Sequence, residues 1–149
     1  LSGGDPMDLR ERAMRILQVR DHSCEELRRK LLARGLGPEG LDSLLEDLVR
    51  MGYLDDRRFA VQFVRERTRR GMGRVRVRRE LEQRGVDADL ARQVLDEVLP
   101  ANECESAQAL AERRSRAGRS LQSTARFLAR RGFSAATIRR VLGEVFSGD

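Results

Sequence analysis

VRRELEQRGV, Val77–Val86, decides the fold, because the chain carries its pattern three times. RRKLLARGL (Arg28–Leu36) and RFLARRGF (Arg126–Phe133) end in the same Leu-x-x-Arg-Gly followed by an apolar residue. Leu31, Leu81 and Leu128 match, as do Arg34, Arg84 and Arg131, and Gly35, Gly85 and Gly132. The glycines stand 50 and then 47 residues apart. A period of that length marks a repeated supersecondary unit.

The local chemistry of the repeat is helical. Leu-x-x-Arg-Gly is a helix end, with a basic last turn and a glycine free to take the left-handed cap conformation. Ser23 and Glu26 have capping-box spacing. Pro38 suits the first turn of a helix. Asp87 and Ser134 stand where later helices should begin. RVRVR (Arg74–Arg78) alternates like a strand, but the matching positions of the other copies read as helix. The pattern predicts an all-α protein of three tandem three-helix repeats in an elongated, curved array. Helices are expected at 8–20, 23–34, 39–51, 56–70, 74–84, 87–98, 102–117, 121–131 and 135–146. The units fall at 7–54, 55–100 and 101–149, with 1–6 (LSGGDP) as an expression scar or disordered leader. Leu27, Leu31, Leu44 and Leu48 form the apolar stripe of the first unit. Val77, Leu81, Leu90, Val94 and Val98 serve the second; Phe127, Ile138, Leu142 and Phe146 serve the third. Units this small are expected to share apolar surface with their neighbours.

Charge is unevenly placed. Residues 1–54 carry net −1, 55–84 net +6 and 85–149 net +1, so the most basic stretch is the first part of the middle unit. Within 105–140 there are 9 arginines against 2 acids, which makes a second basic stretch. Such a distribution points to a polyanion or an acidic protein face as partner. Arginine-biased coding would also raise the arginine count, so position has to carry the argument. Cys24 and Cys104 are far apart and form neither a disulfide framework nor a zinc pattern. The single histidine, His22, cannot build a metal site alone. No apolar run is long enough for a membrane span or signal peptide, so a soluble cytoplasmic monomer is expected.

MGYLDDRRFAVQF (Met51–Phe63) holds the only tyrosine, Tyr53. It reads as a corner: Gly52 ends one helix, Tyr53 and Leu54 cover the junction, and Asp55 or Asp56 caps the next. Adjacent acids at a helix start do not face each other across a cleft, so a catalytic pair is not expected. Gly71-x-Gly73 lacks the preceding strand and the Gly-Lys-Ser/Thr of a phosphate loop. Phe59, Ala60, Phe63 and Val64 share one helical face, with Arg58, Gln62, Arg65 and Arg69 nearly opposite. Arg67 and Arg70 point nearer the core side. Arg74, Arg76, Arg78 and Arg79 follow on the next helix, and Arg126 and Arg130 on the basic stretch of the third unit. These eleven arginines are the expected contact set. No catalytic group, metal or cofactor is expected.

Gly52-Tyr53-Leu54-Asp55-Asp56-x-Arg58-Phe59-Ala60 resembles the signature of the RecX family, bacterial modulators of the RecA recombinase. Asp21-His22-Ser23-x-x-Glu26-Leu27-x-x-Lys30-Leu31 resembles its first-unit pattern. Gly73-x-x-Arg76-Val77-x-x-Glu80-Leu81-x-x-Arg84-Gly85-Val86 resembles its second, and Arg131-Gly132-Phe133 its third. The resemblance runs over Leu9–Phe146 and departs mainly in placing arginine where lysine is common. It implies three three-helix units lying in the groove of the RecA–single-stranded-DNA filament. It implies inhibition of RecA recombinase and ATPase activity, restraint of the SOS response and regulation of DNA repair. It also implies contact with single-stranded DNA, with duplex DNA bound more weakly and salt-sensitively, and no catalysis. Two other readings remain open on the residues alone. One is a helical DNA-binding module that acts by direct competition for DNA. The other is a helical scaffold whose basic faces are merely solvated.

Overall fold

The computed structural model describes residues 6–99 and 103–147. Among these residues the chain forms nine α-helices and no strand. They are α1 (Pro6–Val19), α2 (Cys24–Ala33), α3 (Leu41–Arg50), α4 (Asp56–Arg69), α5 (Arg74–Gln83), α6 (Ala88–Val98), α7 (Glu103–Arg116), α8 (Leu121–Arg131) and α9 (Ala135–Phe146). Residues 1–5 of the expected leader lie outside the described residues, as do the expected unit boundary at 100/101 and the expected helix start at 102. Pro6, assigned to the leader, instead opens α1. RVRVR lies in α5, where Val77 is fully buried while Val75 stays half-exposed. Two residues along a helix turn through about 200°, so the alternation separates a core residue from a surface one without any strand.

The caps follow the sequence with one exception. Ser23 and Glu26 complete both halves of a capping box on α2. Asp87 caps α6, Ser120 caps α8 and Ser134 caps α9. The exception is α3, expected from residue 39 with Pro38 in its first turn. Pro38 lies instead in a preceding turn, its carbonyl accepting from the Leu41 N–H at 3.2 Å. Gly40 has φ +75°, a left-handed value that interrupts the helical run, so α3 begins only at Leu41.

The core is three separate apolar clusters. The first gathers Leu27, Leu31, Leu41, Leu48 and Leu54 with residues of α1. The second gathers Phe59, Val64, Val77, Leu81, Val94 and Leu95. The third gathers Ala107, Ala111, Leu128, Phe133, Val141 and Leu142. Of the expected stripes, Leu90, Val98, Phe127, Ile138 and Phe146 are only partly buried and pack on these clusters. Among the described residues no buried cluster crosses a unit boundary, so the expected sharing of apolar surface is not seen between these cores. Hydrogen bonds and ion pairs do cross, because each joint is made at helix ends, where backbone groups need partners.

The accessible surface is 9374 Å² for 17.0 kDa, against about 7,700 Å² for a compact monomer of that mass. The array is accordingly elongated.

Candidate functional site

Met51–Phe59 is a corner that also works as a joint. Gly52 has φ +83°, and the N–H groups of Tyr53 and Leu54 both return to the Leu48 carbonyl, at 2.9 and 3.2 Å. Leu54 is buried in the first core, whereas Tyr53 is exposed. The two aspartates divide their work. Asp55 caps α4 by accepting from the Arg58 N–H at 3.1 Å. Asp56 reaches back to the preceding unit and accepts from the Cys24 N–H at 2.8 Å, at the start of α2. Arg58 binds the same corner, its Nε donating to Asp21 at 3.1 Å and its Nη1 to the Gly52 carbonyl at 3.0 Å.

The second joint repeats the first. Glu103, the first residue of α7, accepts from the Arg74 N–H at 2.5 Å as Asp56 does from Cys24. The Arg84 carbonyl accepts from the Ser23 hydroxyl at 2.5 Å; the Arg131 carbonyl accepts from the Gly73 N–H at 2.7 Å. The Gly132 carbonyl adds the Val75 N–H at 3.0 Å. The end of α5 thus meets the start of α2, and the end of α8 meets the start of α5. The repeated arginine and glycine sit at these meetings. Arg84 donates to Glu26 at 2.6 Å, and Arg131 donates to the Arg70 carbonyl at 2.8 Å. A Cβ on Gly85 would overlap Glu25, and one on Gly132 would overlap Arg76, whereas one on Gly35 would meet open space.

Electrostatics tighten the first joint. Burial alone would raise the Glu26 carboxyl, but Arg20, Arg84 and the Ser23 N–H outweigh it and hold it below the ordinary glutamate value. Burial, reinforced by Asp56, pushes the Cys24 thiol up to about 12, which disfavours the thiolate. Burial lowers the His22 pKa, although its bond to the Arg20 carbonyl opposes this. His22 Nδ1 lies 3.0 Å from that carbonyl and Nε2 2.9 Å from Lys30 Nζ, which fits a neutral ring that donates from Nδ1 and accepts at Nε2. No group of three His, Cys, Asp or Glu among the described residues could hold a metal ion.

The expected contact arginines fall into two sets. Arg58, Arg67, Arg70, Arg74, Arg76 and Arg78 each have a carboxylate neighbour: Asp21, Glu80, Glu66, Asp96, Glu80 and Glu82. Arg67 is also mostly buried and stacks 4.4 Å over Phe63. Arg65, Arg69, Arg79, Arg126 and Arg130 are exposed and have no ion-pair partner among the described residues. Arg65 and Arg69, one turn apart on α4, line a hollow of about 420 Å³ with Thr68 and Val98. Arg76, Arg79 and Arg130 line a cleft of about 320 Å³ between α5 and α8, with Val75 on its wall. The structure therefore offers two basic places rather than one stripe. Sequence reasoning missed the joint residues Glu26, Arg84, Glu103 and Arg131. It also missed Arg29, which the repeat places in register with Arg79 and Arg126.

Three family descriptions match in tandem: "RecX, first three-helix domain" over residues 10–48, "RecX, second three-helix domain" over 55–95 and "RecX, third three-helix domain" over 101–142. The chain is 40% identical over 140 residues to the regulatory protein RecX of Chromohalobacter salexigens, covering 92% of each. It is 44% identical over 139 residues to that of Halorhodospira halophila, covering 88% of this chain and 84% of the relative. Its fold superposes on the crystal structure of RecX from Lactobacillus salivarius with a TM-score of 0.84 at 19% identity, covering 95% and 97% of the two chains. With all three domains present in order and relatives matched nearly end to end, the chain belongs to the RecX family of regulatory proteins.

Proposed function

We propose that the chain is a non-enzymatic regulator that lies in the groove of the RecA–single-stranded-DNA filament. There it inhibits RecA recombinase and ATPase activity and so restrains recombination, DNA repair and the SOS response. It acts as a cytoplasmic monomer, with RecA and single-stranded DNA as its partners. Family membership supports the regulatory role. The observation that carries the binding mode is the set of exposed arginines on α4, α5 and α8 that have no carboxylate partner among the described residues, presented by an elongated array. Unpaired guanidinium groups fit phosphate and carboxylate equally well, as a filament of protein and DNA requires.

The test is RecA's single-strand-dependent ATP hydrolysis, titrated with this protein while DNA is in large excess. Inhibition well below one molecule per RecA is expected. Inhibition only near saturation of the DNA, relieved by more DNA, would identify a simple DNA competitor instead.

A further inference from the structure

The two joints match in position but not in the kind of bond that closes them. Among the described residues, every hydrogen bond across the first joint passes through a side chain. Ser23 Oγ donates to the Arg84 carbonyl at 2.5 Å, Arg29 Nη1 to the Gln83 carbonyl at 2.7 Å, and the Cys24 N–H to Asp56 at 2.8 Å. Arg84–Glu26, at 2.6 Å, and Arg58–Asp21, at 3.1 Å, are ion pairs. Among the described residues no other ion pair crosses a unit boundary. The second joint has two bonds from backbone to backbone instead, Gly73 N–H to the Arg131 carbonyl at 2.7 Å and Val75 N–H to the Gly132 carbonyl at 3.0 Å. Glu103, Arg76 and Arg131 add side-chain bonds there, each to a backbone group rather than to an opposite charge.

The repeat explains the difference. Ser23 and Gly73 hold one position of it, the N-caps of α2 and α5, and Glu26 and Arg76 hold another three residues on. In α2 the Ser23 N–H donates to Glu26 Oε1 at 3.1 Å and completes the capping box, so the Arg84 carbonyl is met by the hydroxyl. With glycine as its N-cap, α5 forms no box, and the Gly73 N–H takes the Arg131 carbonyl. Contact follows the same division. A Cβ on Gly73 would lie 2.5 Å from the Gly132 carbonyl, backbone against backbone, whereas one on Gly85 meets the Glu25 side chain.

The two kinds of bond respond differently to the solution. Bonds between backbone groups carry no net charge, whereas ion pairs open to water weaken as salt screens them. The Arg84, Arg58 and Asp21 side chains are 32–38% exposed, so ions reach them. No buried apolar cluster spans either joint among the described residues, and units without a large apolar interface move relative to one another unless other bonds hold them.

We propose that the chain is a rigid two-unit body carrying a hinged arm. The second and third units move as one. The first unit swings at the first joint, where the Glu26–Arg84 and Asp21–Arg58 pairs hold it closed and release it as charge is screened. The chain crosses between these units at Leu54–Asp55. Leu54 is held in the first core and Asp55 in the cap of α4, so the turning point is that link. The hinge belongs to the free chain and needs neither RecA nor DNA.

The test measures distances between pairs of spin labels by electron–electron resonance, in a Cys24→Ala/Cys104→Ala background. Ser43, Gln93 and Arg140 are exposed and share one position of the repeat, on α3, α6 and α9. Ser43→Cys/Gln93→Cys reads the first joint and Gln93→Cys/Arg140→Cys the second. Raising sodium chloride from about 0.1 to about 1 M shortens the screening length from about 10 to about 3 Å. The 43–93 distribution is expected to widen at least twofold and the 93–140 distribution to keep its width. Adding Asp21→Asn/Glu26→Gln, which removes both charges and keeps the side-chain shapes, should give the wide 43–93 distribution already at low salt. Circular dichroism checks that this variant keeps its helix content; if it does not, the salt series alone decides. Equal widening at both joints would overturn the proposal, as would a 43–93 distribution that stays narrow at high salt.

Discussion

Glu26 and Arg84, 58 positions apart in the sequence, meet at 2.6 Å, and the same carboxylate oxygen also takes Arg20 at 3.1 Å. The pair closes the first joint on the inside, with the Glu26 side chain only 10% exposed. Its carboxyl is held below the ordinary 4.5. Between that value and the lower folded one, the unfolded chain binds a proton that the folded chain does not. The stability supplied by the pair is therefore complete above about pH 4.5 and is lost as the pH falls through the folded value. Glu26→Gln is expected to cost about 1–3 kcal/mol at pH 7 and to flatten the fall in melting temperature below pH 4.5. His22, lowered from 6.5, adds a loss of the same sign that begins near that pH; the Glu26 charge opposes that lowering, so Glu26→Gln deepens the His22 loss while it removes its own. Identical acid slopes would show that the pair carries no linkage.

Gly132 and Gly35 make a controlled pair. Both have positive φ, +95° and +80°, so alanine is strained at each. Only at Gly132 does the added Cβ also overlap the preceding unit, at Arg76. Gly35→Ala is expected to cost about 1–2 kcal/mol from backbone strain alone. Gly132→Ala should cost clearly more and open the second joint. Thermal melts of the two variants would contradict the close approach if they coincided.

Leu81 is fully buried in the second core. Leu81→Ala is expected to destabilise by about 2–5 kcal/mol, the range for a leucine cavity. A melting temperature equal to wild type would refute that burial.

Arg65→Glu/Arg69→Glu should leave helix content intact, since neither side chain has a carboxylate partner among the described residues. Its affinity for free single-stranded DNA should fall by tenfold or more. The slope of log affinity against log salt should also drop, by roughly 0.7 for each phosphate that is no longer bound. An unaltered slope would put the nucleic acid elsewhere on the chain.

Cys24 should resist alkylation. With its thiol pushed up to about 12, roughly one molecule in ten thousand carries a thiolate at pH 8. In a Cys104→Ser background, iodoacetamide is expected to label Cys24 at least a hundredfold more slowly in the folded protein than in urea. Equal rates would mean that α2 does not bury it.

Much of this fold is written in local chemistry. Ser23–Glu26, Asp87 and Ser134 announce helix starts by bonding to their own neighbours, and Gly35, Gly85 and Gly132 announce ends through a backbone angle that other residues resist. The joints are not written that way. Asp56 and Asp55 look alike in the sequence, yet one caps its own helix and the other caps Cys24 in the preceding unit. Nothing within a few residues of Asp56 distinguishes them. Arg67 could be placed near the core from helical periodicity, whereas its pairing with Glu80 depends on how α4 lies against α5. Arg29 was hidden for another reason. It belongs to a segment of net −1 charge, and averaging over that segment obscures a position that the repeat itself marks.

Where α8 runs into α5, the Arg131 and Gly132 carbonyls meet the Gly73 and Val75 N–H groups, and the partial charges of the two helix ends cancel. The ends of the row that meet no other helix of it are then the start of α8 near Leu121 and the end of α2 near Ala33, one a positive pole and the other a negative one. The stack thus carries an electrical arrow that runs against the order of the sequence. On a track that has its own direction, seating the molecule backwards would reverse both poles and exchange Arg126 for Arg29, so the two orientations differ in energy.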